Sequence, residues 1–149
     1  KNLDIQIKKR NKIAYKVINS LKIFWEKYSL LRKPNFRCSK CELKNMKQNC
    51  NHCVHAFYRL NLFINIDRKK KLKLLNNLQK KNVNCNEGPC PEIYKEKVFK
   101  KLKINTSQKL FNTIQIGKQS FVYHINPFIK SSKLKNDIKI LKKILAKYI

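Results

Sequence analysis

Apolar positions recur at helical spacing in several stretches of this chain. Ile13, Val17, Leu21, Phe24, Tyr28 and Leu31 follow one another at steps of four, four, three, four and three. That spacing predicts an amphipathic helix over about residues 12–31, stopped before Pro34. Arg68 to Lys81 carries Leu72, Leu75 and Leu78 as an apolar line and predicts a second helix. A third, over residues 133–149, presents Leu134, Ile138, Leu141, Leu145 and Tyr148, with lysines on its other faces. A further helix is expected over about residues 92–103.

Other stretches follow different patterns. The run from Phe57 to Ile66 is densely apolar, and periodicity leaves strand and helix open. Residues 82–92 carry Asn, Gly and Pro in loop proportions. Thr113 to Ile116 and Gln119 to Ile125 alternate as strands about Gly117-Lys118, which predicts a β-hairpin near 113–125. The expected architecture is a small α+β protein in three parts. Residues 1–33 form a basic amphipathic helical arm and 34–60 a zinc ribbon or knuckle. Residues 61–149 form a long, basic, largely helical C-terminal extension with one hairpin.

Charge changes the picture. Thirty-six Lys and Arg face eight Asp and Glu, for a formal net charge of +28 over 149 residues. Most basic side chains therefore have no acidic partner, and a polyanion would relieve their mutual repulsion. The two glycines, Gly88 and Gly117, are too few for a P-loop, a dinucleotide fingerprint or a KH-type loop. No run of 18 apolar residues suggests a membrane span. Residues 1–16 are basic but Lys-rich and carry Asp4, which makes a poor transit peptide. Abundant Lys, Asn and Ile with little Gly and Ala is the mark of AT-rich coding.

Four cysteines lie within sixteen residues, as Cys38-Ser39-Lys40-Cys41 and Cys50-Asn51-His52-Cys53. A CxxC-x8-CxxC pattern aims two pairs of thiolates at one point and suits a closed tetrahedral zinc shell. Such a shell has no open position for water or substrate, so the expected metal is one structural Zn2+. Arg37, Lys40, Lys44, Lys47 and Arg59 surround it and favour thiolate over thiol. With Arg68, Lys69, Lys70 and Lys71 they are the expected RNA-binding residues. Cys85 and Cys90 read as free thiols in a loop, with a disulfide or second metal as the alternatives. His124 reads as structural. Phe57-Tyr58-Arg59 and Phe121 to His124 read as core packing, or else as platforms for unpaired bases. No catalytic set emerges, so the chain is expected not to be an enzyme.

Pro34 to Lys44 with Cys50-Asn51-His52-Cys53, followed by Phe57-Tyr58-Arg59, resembles the zinc-ribbon protein numbered thirty-two of bacterial-type large ribosomal subunits. The resemblance covers about residues 30–60, with Glu42 and Val54 where that family has glycine. Cys53-Val54-His55-Ala56-Phe57-Tyr58 also echoes the family numbered thirty-one. The resemblance implies a structural constituent of an organellar, in the first place mitochondrial, large subunit. Its partners would be ribosomal RNA and neighbouring ribosomal proteins, with no membrane and no small-molecule substrate. The alternative is a viral or nuclear zinc-containing DNA-binding or transcription protein.

Overall fold

The computed structural model describes residues 2–33, 55–88, 97–102 and 110–149. The chain runs α1 (Asn2–Ser20), α2 (Lys22–Glu26), β1 (Arg59–Phe63), α3 (Arg68–Lys80), β2 (Cys85–Glu87), α4 (Lys97–Lys101), α5 (Phe111–Gln119), β3 (Ser120–His124) and α6 (Ser131–Leu145). A 3-10 turn, Ala146–Tyr148, closes the chain. The fold is small α+β: helices packed on an antiparallel three-stranded sheet in the order β1-β3-β2. No helix among the described residues is long and apolar enough to cross a membrane.

The first helix starts earlier and ends sooner than its apolar spacing suggests. Ser20 Oγ donates to Lys16 O at 2.7 Å, a bond that competes with the helical ladder. Leu21 N then divides itself between Val17 O and Ile18 O, and α2 sets off after this break. Ser29 takes a left-handed backbone, φ 50°, which ends helical direction before Leu30. Leu30 and Leu31 turn inward, both amides bonding Phe24 O, and Leu31 bridges to Ile64 beside β1.

Helix α3 has nearly the expected bounds, because both of its ends are capped, but its buried line runs through Leu74, Leu75 and Leu78 and leaves Leu72 exposed. Asp67 Oδ1 accepts from Lys70 N at 2.8 Å at the N-terminus. At the other end Asn82, at φ 57°, donates its N–H to Gln79 O, while Val83 N donates to Leu78 O. This is a Schellman closure with Asn in the left-handed position. Its hydrophobic partners, Leu78 and Val83, are both buried.

The strand expected from 119–125 exists as β3, but Thr113 to Ile116 is helical, within α5, and there is no local hairpin. Both edges of β3 are already taken. Leu60 faces Tyr123 and Leu62 faces Phe121 on the β1 side, while Cys85 faces Tyr123 on the β2 side. No edge remains for a hairpin partner. The expected loop at 82–92 likewise contains β2. Gly88 lets the chain pass close to β3 directly afterwards: a Cβ there would sit 2.4 Å from Ser120 Oγ.

One hydrophobic cluster joins these elements. Ala14, Val17 and Ile18 of α1, Leu74 and Leu78 of α3 and Leu141 and Leu145 of α6 meet Leu60, Leu62, Phe121 and Tyr123 of the sheet. It draws on residues on both sides of the 34–60 segment. Leu78→Ala should lower unfolding free energy by about 2 to 5 kcal/mol, read from chemical denaturation. A loss below about 0.5 kcal/mol would remove α3 from the core.

Candidate functional site

Of the residues expected to bind zinc or RNA, Cys38, Cys41, Cys50, Cys53, Arg37, Lys40, Lys44 and Lys47 lie outside the described residues, as does Cys90. Among the described residues, no group of three or more His, Cys, Asp or Glu side chains is placed to hold a metal. Arg68, Lys69 and Lys70 are exposed on the first turn of α3. Asp67 caps that turn, and its carboxyl is held below the usual range, first by the Lys70 amide. Lys71, grouped with them by sequence, is elsewhere altogether: it is buried.

Lys71 is a structural cation. Its Nζ donates to Gly117 O at 2.9 Å and Ser120 O at 3.2 Å, and lies 3.3 Å from Glu87 Oε1. It therefore ties α3 to the C-terminal end of α5 and to β2. Carbonyls at a helix C-terminus carry partial negative charge, which suits a cation there. Nothing in the local sequence distinguishes Lys71 from Lys70 except its place in the apolar register, three residues before Leu74.

A second polar group lies under α6. Asp137 is buried, accepts from Tyr123 Oη at 3.3 Å and is paired with Lys133. Lys133 also donates to Asn82 O at 2.6 Å, so the end of α3 is fastened to α6. Cys85 is a free, buried thiol on the neighbouring strand. Burial, then the Asp137 carboxylate, pushes its pKa up to about 12. The same two causes raise Tyr123.

The opposite sheet face is polar at one end. Arg59 and His124 are directly paired across β1 and β3, in line with Asn61 and Val122 further along. Asn86 Nδ2 lies 3.1 Å from His124 Nε2, and Gln79 Nε2 donates to Asn86 Oδ1 at 3.2 Å. This chain of amides fixes the imidazole beside the guanidinium. Just before Arg59 the aromatic pair divides. Phe57 is buried against Tyr15, whereas Tyr58 is exposed, with Arg59 Cζ 5.2 Å and Arg10 Cζ 6.0 Å from its ring centroid. Arg10 and Asn86 were not singled out by sequence, because their roles arise only when distant elements meet. His124, read as structural, has its ring beside a polar cluster.

No family model matches the chain, and no curated protein sequence does. Among solved structures it is similar to an aminotransferase from Psychrobacter cryohalolentis. The TM-score is 0.76 over 95% of this chain at 18% identity. The chain spans about a third of that protein, 34% of its length. At this identity the likeness speaks for the fold.

That fold corrects the ribosomal reading. The zinc-ribbon resemblance rests on about residues 30–60, whereas the shared fold extends over nearly the whole chain. The expectations of a ribosomal constituent, of a DNA-binding or transcription protein and of a non-enzyme are corrected with it. The error has a physical source: net charge reports how surfaces attract partners and says little about fold.

Two outcomes test the buried polar groups. Lys71→Met keeps the stem volume but leaves two carbonyls without their donor, and should cost roughly 3 kcal/mol. A neutral result in denaturant melts would refute its tie to α5. For Cys85, the unfolded thiol ionises near pH 9 while the folded one stays protonated to about 12. Its share of stability is therefore complete below pH 9 and lost as pH rises through that window. Cys85→Ala should flatten the alkaline slope by one proton, about 1.4 kcal/mol per pH unit. An unchanged slope would contradict the burial.

Proposed function

We propose that the chain is a folded module of an aminotransferase, supplying part of an enzyme that moves an amino group from a donor to a carbonyl acceptor. The observation that carries this is the fold likeness to one stretch, about a third, of the Psychrobacter enzyme. Aminotransferases of the pyridoxal phosphate type need a Schiff-base lysine and an acidic partner for the ring nitrogen. Among the described residues the buried charges are Lys71 and Asp137. Lys71 is held by Gly117, Ser120 and Glu87, and Asp137 by Tyr123 and Lys133. These residues do not fit that cofactor. The reading requires further residues, from this polypeptide or a partner, to perform the transfer. The module would contribute a rigid sheet and its polar end, Arg59 and His124, to such an assembly.

The test is immunopurification of the chain from its source, followed by assay with a panel of amino-acid donors and carbonyl acceptors. Amino transfer should be retained on the antibody resin and depleted from the supernatant. Resin that holds the chain without transfer, beside an active supernatant, would refute the proposal.

For the segment between α2 and β1 we propose one structural zinc on Cys38, Cys41, Cys50 and Cys53. The ligand spacing is its support, and it would act as a local clip inserted into the fold. Metal analysis of natively purified protein should give one zinc per chain. Cys38→Ser should lose it while the helical circular dichroism is kept. Metal-free native protein would contradict the site.

A further inference from the structure

Two arginines from distant parts of the chain converge on one exposed ring. Asn11 Nδ2 donates to His55 O at 2.7 Å, and Phe57, packed edge-on to Tyr15 at 5.5 Å, anchors the chain entering β1. Phe57 has a left-handed backbone, φ 42°, unusual for a residue with a large side chain. Phe57 N also donates to His55 Nδ1 at 2.9 Å, which holds this turn. With Phe57 inside, Tyr58 is left 63% exposed. Arg10 of α1 and Arg59 of β1 stand about it. Backbone strain of this kind is kept where surrounding contacts over-determine it, often at ligand sites.

Among the described residues, the two guanidiniums have no acidic partner: the ion pairs involve Lys22, Lys70, Lys71 and Lys133, and neither arginine. Arg10 Nε is buried with no hydrogen-bond acceptor. A desolvated donor in that condition is unfavourable. His124, opposite Arg59 in register, stands at the same end of the sheet.

We propose that Arg10, Tyr58 and Arg59 form a binding site for a phosphate group, carried by inorganic phosphate or a small phosphate monoester. Two guanidiniums match a dianion, and their planar donor forks match its several oxygens better than point charges would. The Tyr58 ring offers a face to a monoester's organic group. The site does not depend on the aminotransferase reading and stands if that reading fails.

The experiment titrates the intact chain with inorganic phosphate and, separately, phenyl phosphate, following the Arg10 Nε–Hε signal by NMR. At least one ligand should give a saturable shift. Tighter phenyl phosphate binding, abolished in Tyr58→Leu, identifies the monoester as the ligand form; equal binding identifies free phosphate. Arg10→Lys and Arg59→Lys keep the net charge and should each weaken binding about tenfold, with unchanged circular dichroism. Lys142→Gln, on α6, removes a charge and should change affinity less than twofold. No saturable shift with either ligand, or lysine variants that bind like the parent, would overturn the site in favour of general attraction to a basic chain.

Discussion

Everything else in the domain is arranged around the double pairing of β3. Five residues, Ser120 to His124, accept β1 on one edge and β2 on the other. Both partners come from earlier in the chain, so each ladder joins residues distant in sequence. The core face of β3 presents Phe121 and Tyr123 to the helices. Its other face brings His124 beside Arg59 and Asn86. The buried polar contacts reinforce this: Lys71 holds the backbone where α5 turns into β3, and Asp137 takes the Tyr123 hydroxyl.

The helices were largely legible because their signals are local. The extent of α3 follows from its leucines, but of the line Leu72, Leu75 and Leu78 only the last two are buried; Leu72 is exposed and Leu74 lies inside in its place. The α6 stripe is equally plain, with Leu134, Leu141 and Leu145 inside. The sheet was not legible, because pairing is non-local. Thr113 to Ile116 alternates as a strand would, yet α5 buries none of its residues, so its own pattern had little to decide its form. Helix is adopted where no strand edge is free.

The candidate site was harder still. Arg59 was read as an RNA-binding residue for its closeness to the cysteines, whereas its neighbours in the fold are Tyr58 and His124. Lys71 was grouped with Arg68, Lys69 and Lys70 as surface charge, although its position in the apolar register takes it inside. Charge of +28 drew attention to polyanions and to a thirty-residue resemblance. The likeness in fold, which covers 95% of the chain, outweighs the resemblance. Many basic side chains can cover an ordinary α+β core, since their stems pack while their heads stay in water.

The central claim is that this chain folds on its own around β3, and not as basic segments that need RNA to become ordered. Native-state hydrogen exchange on the free protein tests it most directly. The β3 amides should exchange only at the rate of global unfolding, and those of α5 much faster. Beta-strand amides that exchange freely in the absence of polyanion, and become protected only when RNA is added, would contradict it.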